Sequence, residues 1–99
     1  MVTLFLTEER KSAMHLNSCR VCGLVCPGYF PWGEFGDCAT FEHCVCCGVM
    51  HGYTDSGVEG CRFFRKEWIQ KGAPWDSPED KPENWNLEEQ LKNIPEEYR

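Results

Sequence analysis

At 99 residues the chain has room for one hydrophobic core and no second. Apolar residues make up 41% of it, too many for a disordered chain, and four Trp concentrate the core volume in a few large rings. A formal charge of −6 argues against a phosphate-backbone binder, which carries a basic patch, and no run approaches the ~20 apolar residues of a membrane span.

The apolar start Met1 to Leu6 is interrupted by Thr7-Glu8-Glu9-Arg10-Lys11, unlike a secretory signal. The expected location is therefore cytoplasmic, where thiols stay reduced and paired Cys-x-x-Cys units bind metal. A disulfide framework is the alternative use of the eight cysteines.

Residues 1–18 read as an N-terminal extension whose β-prone run, Val2 to Leu6, is suited to an edge strand. Residues 19–99 read as a single domain. Seven of the eight cysteines fall between 19 and 53. From Cys26 to Asp37 Pro and Gly recur too often for regular structure, so this is a loop, and its aromatics Tyr29, Phe30, Trp32 and Phe35 suggest that it packs onto something. Residues 39–43 and 49–53 alternate in the β manner and predict a short antiparallel pair joined by a cysteine-rich turn.

A helix is expected over about 57–71. Ser56 with Glu59 has capping-box spacing, and Val58, Cys61, Phe64 or Arg65, and Trp68 share a face with Ile69 beside them. Gly72 and Pro74 end it, and Arg62, Arg65 and Lys66 decorate the opposite side. Three prolines in 73–85 then exclude helix and give a connector anchored by Trp75 and Trp85. A second helix over about 87–94 repeats the capping spacing at Asn86 and Glu89, with Leu87, Leu91 and Ile94 on one face.

The chemistry lies in two matching blocks, Cys19-Arg20-Val21-Cys22-Gly23 and Cys44-Val45-Cys46-Cys47-Gly48. Each is Cys-x-x-Cys-Gly, a knuckle in which a tight turn aims two sulfurs at one ion and the Gly takes a conformation other residues resist. Together Cys19, Cys22, Cys44 and Cys47 supply four thiolates, the set expected of a closed structural Zn²⁺ site. Four thiolates around a dication take the formal −6 to −8. Iron accepts the same four sulfurs. Cys46 occupies an inner position of the second block, with its sulfur turned away from the ion or approaching it as an outer neighbour. The remaining Cys26, Cys38 and Cys61 read as buried thiols, or as part of a second site in which Cys26, Cys38 and one of His15, His43 and His51 converge.

The expected fold is thus a small α+β zinc ribbon, a rubredoxin-like knuckle pair with a short antiparallel sheet, followed by a helix, a Pro/Trp-rich connector and a short C-terminal helix. The two Cys-x-x-Cys-Gly blocks, Gly52-Tyr53-Thr54-Asp55 and Trp85-Asn86-Leu87-Glu88-Glu89-Gln90-Leu91 resemble small bacterial cysteine-rich proteins of the "CPCC" type over roughly residues 19–99. Those relatives carry Pro inside the knuckles, where this chain has Arg20 and Val45. The resemblance implies a bacterial or phage cytosolic protein with a rubredoxin-like zinc fold, and nothing about activity.

No His-Glu-x-x-His, phosphate-cradling Gly-rich loop or Cys/His pairing is present, so no enzyme is expected. The expected function is a structural-zinc module for protein interaction with a basic partner, a character shared by immunity and inhibitor proteins. The alternatives are a zinc-ribbon nucleic-acid binder, disfavoured by the absence of Lys and Arg between Arg20 and Arg62, and a rubredoxin-like iron electron carrier.

Overall fold

The computed structural model describes residues 16–99. The run Val2 to Leu6 and His15 lie outside the described residues.

Two Cys-x-x-Cys-Gly turns organise the first half. In each, the Gly N–H returns to the carbonyl of the leading cysteine, Gly23 to Cys19 at 3.0 Å and Gly48 to Cys44 at 2.9 Å. The leading cysteine's own N–H then bonds the residue after the Gly, Cys19 to Leu24 and Cys44 to Val49, both at 2.9 Å. Both glycines sit at φ 83°, a left-handed value that a Cβ disfavours. One antiparallel bridge flanks each turn, Ser18 with Val25 and His43 with Met50.

Pairing goes no further, and this corrects the expected fold class. Among the described residues there is no β-strand and no sheet, only those isolated bridges, so the zinc-ribbon and rubredoxin-like architecture is not formed. The local reasons are visible. Beyond the second bridge, Phe41 at φ 62° and Gly52 at φ 113° bend both chains out of the extended region. Thr40 then turns its N–H to Pro31 instead of a strand partner. Beyond the first bridge, Pro27 has no N–H to give and Gly28 turns left-handed.

Helix α1 spans Val58–Gln70. Its entry differs from the capping-box expectation. The N-cap is Gly57, with no side-chain cap, because the Ser56 hydroxyl donates to the carbonyls of Gly52 and Tyr53 around the preceding 3₁₀ turn, Thr54–Ser56. Cys61 and Trp68 are buried, while Phe64 and Arg65 are half-buried. The helix ends as Gly72 and Ala73 turn left-handed, their N–H groups satisfying the Ile69 and Trp68 carbonyls.

The connector contains one 3₁₀ turn, Pro78–Asp80, where no helical turn was expected; Pro is tolerated there because it occupies the first position. Trp75 and Trp85 meet edge to face at 5.6 Å. Asp76 and Ser77 donate their N–H groups to the carbonyls of Cys46 and Val45, which fastens the connector to the second turn. Helix α2, Leu87–Leu91, is capped by the Asn86 side chain accepting from the Glu89 N–H at 3.0 Å. A 3₁₀ turn at Glu96–Tyr98 packs against α1. Among the described residues the core is one cluster in which the cysteine turns, Val21, Val49, Trp68 and Trp75 are all buried.

Candidate metal centre

The two turns face each other and bring four sulfurs together. The ligand atoms of Cys19, Cys22, Cys44 and Cys47 all lie within 4.8 Å of one another, and all four residues are buried. The sulfurs of Cys19 and Cys47 are 3.8 Å apart and those of Cys22 and Cys44 are 3.7 Å apart. A tetrahedron with ~2.3 Å from centre to each sulfur, the usual metal–thiolate length, has edges of about 3.8 Å. A disulfide requires about 2.05 Å. All eight cysteines are free thiols. The donor set and its spacing therefore fit one metal ion.

Electrostatics point the same way. Burial, reinforced by the surrounding sulfurs, pushes the Cys22 thiol well up, and contact with Cys19 leads the forces that push Cys47 up. Hydrogen bonds from Cys19, Cys22 and Cys47 hold Cys44 down. By themselves these buried thiols cannot all ionise together. A cation resolves that conflict by accepting all four charges.

A shell of other groups supports the sulfurs. Cys46 is buried beside them, and contact with Cys22 holds its thiol down. Gln90 clasps α2 to both turns: its Nε2 donates to the Cys22 carbonyl at 3.3 Å and to the Cys46 sulfur at 3.2 Å, while its Oε1 accepts from the Trp85 indole at 2.7 Å. The sequence assigns Gln90 no role and sets Arg65 at the border between the apolar face of α1 and its charged side. The Arg65 guanidinium turns inward and donates to the carbonyls of Val21, Arg20 and Tyr98 at 2.6, 3.1 and 2.7 Å. Arg20 is likewise captured, stacked between the rings of Trp32 and Tyr98. Nothing local foretells such contacts, since each joins residues 33 to 45 positions apart in the Arg65 case.

A second network escaped the sequence reading entirely. His51 and Asp55 are both buried, with Nδ1 of the histidine 2.9 Å from Oδ2 of the aspartate. The same Oδ2 accepts from the Trp32 indole at 2.8 Å, and Oδ1 accepts from the Gly52 N–H at 2.8 Å. Burial alone pushes the Asp55 carboxyl up, but His51, Gly52 and Trp32 outweigh it and hold the group below its usual value. The spacing of four between His51 and Asp55 was the available signal. Asp55 thereby ties the aromatic loop to the segment following the second turn.

Among the described residues no other group of three or more His, Cys, Asp or Glu converges on a point, so a second site from Cys26, Cys38 and a described histidine is not formed. Cys38 and His43 are exposed and Cys26 half-buried. Cys61 is buried against Asp55, and burial followed by that carboxylate pushes its thiol up to about 11, the opposite of an activated nucleophile. No helix among the described residues is long and apolar enough to cross a membrane. Compared with family models, with curated proteins and with solved structures, the chain matches none.

Proposed function

We propose that the chain is a zinc-stapled protein-interaction module with no catalytic role. The observation that carries this reading is the buried four-cysteine cluster, two opposite edges of which, at 3.7 and 3.8 Å, match a metal–sulfur tetrahedron. Four protein ligands in a buried site leave no open position for substrate or water, which is the signature of a structural zinc rather than a hydrolytic one. Phe35, Phe41, Tyr53 and Phe63 are exposed, and such rings serve as anchors in protein interfaces. The acidic charge favours a basic protein partner over nucleic acid. Immunity and inhibitor proteins fit that description.

Elemental analysis and absorption spectra of protein purified under reducing conditions test the metal assignment. One equivalent of zinc in a colourless protein is expected. A coloured, iron-loaded protein would replace this reading with electron transfer, and folded protein without metal would overturn it.

A further inference from the structure

Phe41 is both strained and exposed. Its φ of 62° lies in the left-handed region, a genuine outlier for a bulky side chain, and the residue remains 60% exposed. Glycine would adopt this backbone more cheaply, and folding gains little burial from the ring. Strain of this kind persists where surrounding structure enforces it, and it gathers at binding and catalytic sites.

The enforcement is on view. The Phe41 N–H donates to the His51 carbonyl at 3.1 Å, and the His51 N–H donates to the Glu42 carbonyl at 3.0 Å. The ring lies over Gly52, where an added Cβ would come within 2.6 Å of it. Gly52 is held from beneath by the buried Asp55 carboxylate. Phe41 meets Tyr53 edge to face at 5.9 Å, and Tyr53 is itself 66% exposed. Two rings are thus fixed in one mutual geometry and presented to solvent.

The stretch of chain that carries them bears charge of one sign. Residues 21–61 contain Glu34, Asp37, Glu42, Asp55 and Glu59 and no Lys or Arg. All of these acids except Asp55 are exposed. Glu42, next to Phe41 in the chain, is fixed by accepting from the Tyr29 hydroxyl at 2.9 Å. We infer that Phe41, Tyr53 and Glu42 form the docking surface for a basic protein segment, which lays an Arg or Lys across the rings and pairs it with Glu42. Arg suits both tasks, because its planar guanidinium stacks on aromatic faces and matches a carboxylate. A second copy of the chain would bring like charge against like, and a polyanion would be repelled. The inference rests on the protein-interaction reading and adds to it the face and the partner's chemistry.

The test uses the full, metal-loaded chain labelled with ¹⁵N. It is titrated with an Arg/Leu peptide about a dozen residues long, and in parallel with a Glu/Leu peptide of equal length. Amide shifts centred on Phe41, Glu42, Gly52 and Tyr53 are expected with the Arg peptide alone. Phe41→Gly removes the ring and the strain together. It should weaken binding roughly tenfold, the size of one good cation–π contact, while metal content holds and Tm does not fall. Tyr53→Ala should weaken binding without metal loss. Undiminished binding by Phe41→Gly, equal binding of the Glu peptide, a clear drop in Tm on Phe41→Gly, or self-association or RNA binding through Phe41 would overturn the assignment. Arg-peptide shifts centred on Phe63 instead would sink this face while leaving the protein-interaction reading intact. No binding of either peptide would overturn the inference, and a folded chain without metal would overturn the underlying reading separately.

Discussion

The two cysteine turns are near copies in backbone and near opposites in surroundings. Both run Cys-x-x-Cys-Gly, share a glycine φ of 83° and close with the same pair of hydrogen bonds. The first is walled in: Val21 is fully buried, and a Cβ on Gly23 would lie 2.2 Å from the Gln90 carbonyl oxygen. The second is more open: Val45 is exposed where its counterpart Arg20 is half-buried, although Cys46 at the Val21 position is fully buried, and the atoms nearest to a Cβ on Gly48 belong to the Asp76 side chain, the first at 3.3 Å. The motif therefore fixes the local turn, while long-range packing decides how much each turn can tolerate.

Loss of a ligand should erase the contrast. Cys19→Ser and Cys47→Ser remove one sulfur from each turn, and both should lose metal and native near-UV dichroism. Structural zinc contributes about 10 kcal/mol or more, comparable with the whole stability of a small domain. If either variant keeps a full metal complement, its sulfur is not a ligand.

The glycines separate the turns most sharply. Gly23→Ala must displace backbone as well as occupy a left-handed conformation, so a loss of about 3 kcal/mol or more is expected from chemical denaturation. Gly48→Ala incurs the conformational strain, but the Asp76 carboxylate can swing aside, for about 1 kcal/mol. Equal losses would show that the cover over the first turn is not a constraint. Gln90→Leu tests the same cover from the other side. It strands the Trp85 indole and the Cys22 carbonyl, at a cost of about 2 kcal/mol, and should leave metal stoichiometry unchanged.

The smallest effect concerns the segment after the second turn. Asp55 has a folded pKa below its unfolded value of about 4, so its stabilisation is complete above that value and drains away as pH falls through the lower folded one. The Tm difference between the parent and Asp55→Asn should be constant from neutral pH to about pH 5 and shrink below about pH 4. A difference that is flat throughout would show that the carboxylate charge contributes nothing.

What the sequence disclosed follows the same division. The cysteine spacing and following glycines were legible because a five-residue turn is local, and so was the Asn86 cap. The identical-looking pattern at Ser56 and Glu59 misled, because the Ser56 hydroxyl had nearer carbonyls at Gly52 and Tyr53. The alternation in 39–43 and 49–53 suggested strands, yet Phe41 and Gly52 break the pairing through backbone angles that no hydropathy pattern records. The helix pattern sets Arg65 with Arg62 and Lys66 on a charged face, and the cysteine motif assigns Arg20 no contact at all. The partners of Arg20 and Arg65 are carbonyls contributed by distant parts of the chain, which only tertiary structure brings near.

Gln90 reaches the first turn across 68 residues of sequence. During synthesis all four sulfurs leave the ribosome well before the side chain that clasps the two turns. An ion that fits the four sulfurs would meet them before α2 arrives to fasten the two turns together. Exchange of that ion in the finished protein should then be governed by how often the clasp lifts, so that the trailing third of the molecule acts as the timer for the leading half.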